Sequence, residues 1–161
     1  MITDALLLTE NSRTDVRAAS TYVSGNTIDL SVNRDIGAGE PVKALWNVEV
    51  AYAGGTSIQF QQILSANANL SSAVVIDNGP VVPLANLVAG AMVARFVPEL
   101  LAGPAGVTAP ATGAGGIGSV GLRYYGTQEV SVGTFSAGQH SCRLVLDVTD
   151  MKHHASGFTV L

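Results

Sequence analysis

Hydrophobic and polar residues alternate with a period of two along most of the middle of the chain. In VKALWNVEVAY, Val42, Ala44, Trp46, Val48, Val50 and Tyr52 fall on one face, while Lys43, Asn47 and Glu49 fall on the other. That is the pattern of a half-buried strand. Ala53-Gly54-Gly55-Thr56 then supplies a turn, and SIQFQQIL resumes the alternation with Ile58, Phe60 and Leu64 against Gln59 and Gln61. The two runs and their glycine turn predict a β-hairpin.

Further short strands are expected at similar spacing. SAVVID is followed by Asn78-Gly79-Pro80, a turn signal, and GAMVARFV sets Met92, Ala94 and Phe96 against Arg95 before Pro98 stops it. VGLRYYG and EVSVGTF follow as separate strands, with Ala137-Gly138 as a turn. HSCRLVLDV then places Cys142, Leu144, Leu146 and Val148 on one face. Upstream, NTIDLSV reads as a short strand and DIGAGEP as a bend; only PLANLVAGA suits a brief helical turn, ended by Gly90. About eight short strands with Gly, Pro and Asn turns and no amphipathic helix predict an all-β fold, a single-domain antiparallel β-sandwich or jelly roll. Residues 1–13 read as an N-terminal arm, 102–119 as a long Gly/Pro/Ala-rich surface loop, and 149–161 as a C-terminal tail.

Composition adds a second theme. Of 161 residues, 47% are hydrophobic and only 12% charged, about half the usual charged share. A surface so poor in charge is expected to be partly covered by other chains. The net charge is −4 and the only lysines are Lys43 and Lys152, so no clustered cations offer a nucleic-acid footprint. The longest apolar window, 80–94, is too short for a membrane span and holds Pro83, Asn86 and Gly90. Asp4 stands where a secretory signal would be basic, and the lone Cys142 excludes an internal disulfide, as expected for synthesis in a reducing cytoplasm.

The candidate chemistry is thin. Gly113, Gly115 and Gly118 fit a G-x-G-x-x-G string, but the flanks VTAPAT and SVGLRYY give it no strand-to-helix setting for a dinucleotide. His153 and His154 are adjacent, so on extended chain they point apart; no H-x-H or H-x-x-E spacing accompanies His140. Cys142 reads as a packing residue, no G-x-S-x-G elbow is present, and Asp147 and Asp150 announce no pocket. No catalytic residue, cofactor or metal is expected, and the chain is not expected to be an enzyme. Tyr124 and Tyr125 are consecutive, so one must face outward. With Leu6 and Leu8 of the arm and Phe158 and Val160 of the tail, these tyrosines are the candidate protein contacts.

The runs IDLSVNRDIGAGEP, AYAGGTSIQFQ, ARFVP and VGTFSAGQHSCRLVLDV, with MITDALL and SGFTV at the ends, resemble the jelly-roll capsid cement (decoration) proteins of tailed bacteriophages. The resemblance runs in order along nearly the whole chain. It implies a virion protein on the outer surface of the expanded capsid, cementing neighbouring major capsid protein subunits and made in the host cytoplasm. It also implies a homo-oligomer, a dimer first. Neither nucleic acid nor membrane is an expected partner. The alternatives are a receptor- or glycan-binding jelly roll of a tail or fibre, and a cupin-like enzyme.

Overall fold

The computed structural model describes residues 7–29, 42–98 and 122–145. They form nine strands: β1 (Leu8–Thr14), β2 (Thr21–Val23), β3 (Ile28–Asp29), β4 (Lys43–Ala53), β5 (Ser57–Ser65), β6 (Val74–Pro83), β7 (Met92–Phe96), β8 (Tyr124–Val132) and β9 (Ala137–Val145). A 3-10 turn, Leu84–Asn86, sits inside the segment where a brief helical turn is expected. One sheet has the order β1-β9-β4-β7; the other has β2-β8-β5-β6, with β3 also on β8. Every described strand pairing is antiparallel. With β2 and β3 taken as one interrupted strand, this is the eight-stranded, two-sheet order of a jelly roll. The all-β sandwich predicted from alternation is the fold found.

The core lies between the sheets. Ala44, Trp46, Val48 and Tyr52 of β4 meet Ile58 and Phe60 of β5, with Leu87, Phe135 and Cys142 closing the cluster. The Trp46 and Phe60 rings stack at 5.4 Å, and Phe135 meets the edge of Tyr52 at 5.3 Å. At the other end Leu64 and Tyr125 pack with Ile28, Ile76, Val97, Leu122 and Leu144.

Several local expectations are corrected. β4 and β5 are not a hairpin: β4 pairs with β7 and β9, whereas β5 pairs with β6 and β8. Gly54-Gly55-Thr56 carries the chain across the sandwich instead, because both strands bury a face and each needs the other opposite rather than alongside. Val50 is 47% exposed despite sharing the phase of Trp46, because the β4–β9 register shifts on both sides of it. Asn78-Gly79-Pro80 does not end a strand; β6 runs through it. β6 is an edge strand whose register against β5 is twice shifted, which tolerates Pro80. The amides of Gln61 and Gln59 tie it down, at Asn78 Oδ1 (2.5 Å) and the Gly79 carbonyl (2.8 Å).

YYG and EVSV form one continuous strand, β8. Gly126 does not break it; a Leu70 methyl fills the space where its side chain would stand. The turn before β9 is 133–136, and Ala137-Gly138 already belong to the strand. On β7 the orientation is opposite to a simple apolar-inward reading. Met92, Ala94 and Phe96 lie on the exposed side, while Val93 and Arg95 turn inward. Residues 8–13 of the segment read as an N-terminal arm belong to β1, which pairs with β9, and residues 1–6 lie outside the described residues. The 102–119 loop and the 149–161 tail lie outside the described residues.

Candidate functional site

Of the six contact candidates, Tyr125 must be withdrawn. Its ring is 1% exposed in the core and its hydroxyl donates to Gln62 Oε1 at 2.8 Å. Tyr124 is the outward neighbour, half-buried, with the Arg123 guanidinium 5.3 Å from its ring centre. Leu8 is half-buried in β1, opposite Arg143. Leu6, Phe158 and Val160 lie outside the described residues.

The exposed apolar side chains fall unevenly. Val74, Val75, Val81, Val88, Met92 and Phe96 are all exposed within the stretch that makes β6, β7 and their connection. The charges described in that stretch, Asp77 and Arg95, neutralise each other through a two-pronged contact: Arg95 Nη2 lies 2.7 Å from Asp77 Oδ1 and Nε lies 3.0 Å from Oδ2. The Arg95 hydrogen bonds outweigh burial and hold the Asp77 carboxyl below its usual range. This margin therefore presents apolar side chains with no net charge.

The opposite margin is built from ions, buried under β1 and β2. Asp15, Glu129 and His140 approach within 4.8 Å of one another, and none is more than 3% exposed. Each comes from a different strand or strand end, so no local motif announces them. His140 Nδ1 lies 2.9 Å from Asp15 Oδ2 and 2.6 Å from the Tyr52 oxygen, and the Tyr52 hydroxyl itself donates to Asp15 Oδ2. Both neighbours of Nδ1 are acceptors, which assigns that nitrogen its proton. Arg17 Nη2 is 2.5 Å from Asp15 Oδ1 and also donates to Glu129 Oε1. Arg13 adds contacts of 3.7 Å to Asp15 and 3.0 Å to Glu10. Tyr22 lies under both guanidinium groups, with the Arg17 carbon 3.8 Å from its ring centre.

Asp15, Glu129 and His140 are the residue types that hold a divalent metal. Here the Arg17 guanidinium occupies the position between the two carboxylates that a cation would take. Burial pushes the Asp15 carboxyl up, but the hydrogen bond and charge of His140, the Tyr52 hydroxyl and Arg17 together bring it below its ordinary value. Burial and the adjacent Asp15 charge drive the Tyr52 phenol far above its own. Glycine at position 138 makes the arrangement possible: its φ is +144°, and a side chain there would collide with the Tyr52 ring. Cys142 is fully buried beside the cluster, and burial pushes its thiol up to about 12, so it serves as packing.

These shifts predict an acid limb in stability. The folded-state pKa values of Asp15 and Asp77 are depressed, so the unfolded chain takes up protons first as pH falls. Their contribution is complete above the unfolded carboxyl value of about 3.9 and is lost as pH drops through the lower folded values. Urea midpoints measured from pH 7 downward should hold level and then fall below about pH 4. The fall should be shallower in Asp15→Asn.

The described residues contain no helix long and apolar enough to cross a membrane. A family model described as Bbp16 matches residues 14–144, which run from the last residue of β1 through all but the last residue of β9. No curated protein matches the chain.

Proposed function

The chain belongs to the Bbp16 family, and on that premise we propose that it is a structural protein of a phage virion. It binds the outer surface of the capsid, cements neighbouring major capsid protein subunits and stabilises the expanded shell. It acts as a homo-oligomer, is made in the host cytoplasm and comes to rest on the capsid.

The observation that carries this reading is the contrast between the two margins of the sandwich. The ionisable residues at one margin are tied to each other in the interior. The other margin carries exposed apolar side chains around one neutralised ion pair. Such a scaffold is stiff and suits a partner met through apolar and backbone contacts. A protein that binds only the expanded shell stabilises it by mass action, by about 2.7 kcal/mol per site at a hundred times its Kd. The in-order sequence resemblance to capsid cement proteins points the same way.

The test is to titrate purified protein into emptied, expanded capsids. Saturable binding with a raised capsid melting temperature is expected. Absence of saturable binding overturns the reading.

A further inference from the structure

Sheet edges invite pairing with other chains, and proteins block them with charge, proline, bulges or brevity. Three edges of this sandwich are blocked. β1 is shifted twice in register and carries Glu10 and Arg13. β2 is three residues long and β3 two. β6 carries Pro80 and Pro83 and two register shifts. β7 differs: its register against β4 is unbroken over Met92–Phe96, it contains no proline, and its one charge, Arg95, turns inward to Asp77.

The direction of its free backbone groups follows from two hydrogen bonds. Val48 N–H donates to the Ala91 carbonyl, and Val97 N–H donates to the Val42 carbonyl. Alternate residues of an antiparallel strand address the same neighbour. Val93 and Arg95 therefore face β4, and the N–H and C=O groups of Met92, Ala94 and Phe96 point off the sheet. The Phe96 carbonyl accepts from Gln62 Nε2 at 2.8 Å; the other five groups have no partner among the described residues.

We propose that β7 is the contact between two copies of this chain, paired antiparallel about a two-fold axis at Ala94. A two-fold contact must be self-complementary, and Met-Val-Ala-Arg-Phe is. With the small Ala94 on the axis, Met92 meets Phe96 of the partner subunit, and its own Phe96 meets the partner's Met92. The Ala94 N–H donates to the carbonyl of the partner's Ala94, and the reverse bond forms by symmetry. Lys43, beside Phe96 on β4, comes to the Asn47 end of the other copy, so no like charges face each other. The two sheets that contain β7 become one of eight strands. The inference rests on the self-associating part of the proposed function, and capsid binding is measured separately from it.

Sedimentation of the full chain decides. At roughly 50 μM, far above a Kd of about 1 μM, the mass should be near twice 16.5 kDa. Ala94→Pro removes an N–H that its own sheet does not use, a position where an edge strand accepts proline. Ala94→Lys places two ammonium groups on the axis. Both variants should weaken self-association by roughly 100-fold or more, and keep the cooperative melting of the fold. A monomeric wild type overturns the proposal together with the self-associating part of the proposed function, and normal capsid decoration by that same monomer would leave the capsid-binding part standing. Folded variants that remain dimeric also overturn it. If Ala94→Pro fails to fold, Ala94→Lys and amide exchange decide. The backbone amide at position 94 should exchange slowly in the wild type and rapidly in Ala94→Lys, and rapid exchange in both rejects the β7 contact.

Discussion

Asp15→Asn is expected to lower the unfolding free energy by about 3–5 kcal/mol, the range for removing one partner from a buried ionic network. Asp15 is fully buried and receives Arg17, Arg13, Tyr52 and His140. The amide keeps the volume but loses the charge, leaving two guanidinium groups with Glu10 and Glu129 alone. Its NH2 group would also face the Tyr52 and His140 donors. For a chain of this size the melting temperature should fall by roughly 10 °C or more. Restoring the charge one carbon further out, in Asp15→Glu, should not rescue it, because the side chain has no space around it. Thermal unfolding of both variants checks this, and a change under about 1 kcal/mol, as for an exposed ion pair, contradicts the network's role.

The second large effect is expected at Phe60, where Phe60→Ala should cost about 3–5 kcal/mol. The ring is fully buried, stacks on Trp46 and meets the His140 ring edge-on at 5.5 Å. It joins the apolar cluster to the ionic one, so its loss opens a cavity beside both. Trp46 is the only tryptophan, which makes its emission a local reporter. The emission should shift to the red in Phe60→Ala and much less in Phe60→Leu, which refills most of the volume. Equal spectra in all three proteins would place the stacking elsewhere.

These two residues differ in how far the sequence announces them. Phe60 stands in a clean alternation with Ile58 and Leu64, and period two is a local property that survives in the fold. Partner choice is not local. A two-glycine turn can fold a strand back beside its predecessor or carry it across to the facing sheet, and nothing in AYAGGTSIQF distinguishes the two. Asp15 belongs to the second kind of residue: its partners are distant in sequence, and a lone aspartate after a strand reads as solvated. One signal was present. His140 lies two positions before Cys142, and so shares the face assigned to Cys142 and Leu144. A histidine on that face must be buried and must find partners. The facing of β7 is hidden in the sequence for the converse reason, because on an edge strand the apolar face can be the one turned outward.

The position of β9 has a consequence in time. It lies between β1 and β4, holding the sheet together from its middle, yet it follows every other described strand in the chain. During synthesis β1 and β4 must both wait for it, with their edges unpaired, until the segment around Val145 has left the ribosome. Among the described strands, the only ones adjacent in sequence that lie side by side are β5 and β6. Folding dominated by such distant pairings is slow, and its early intermediates are exposed to aggregation. The yield of folded protein would therefore be limited by the arrival of its last strand.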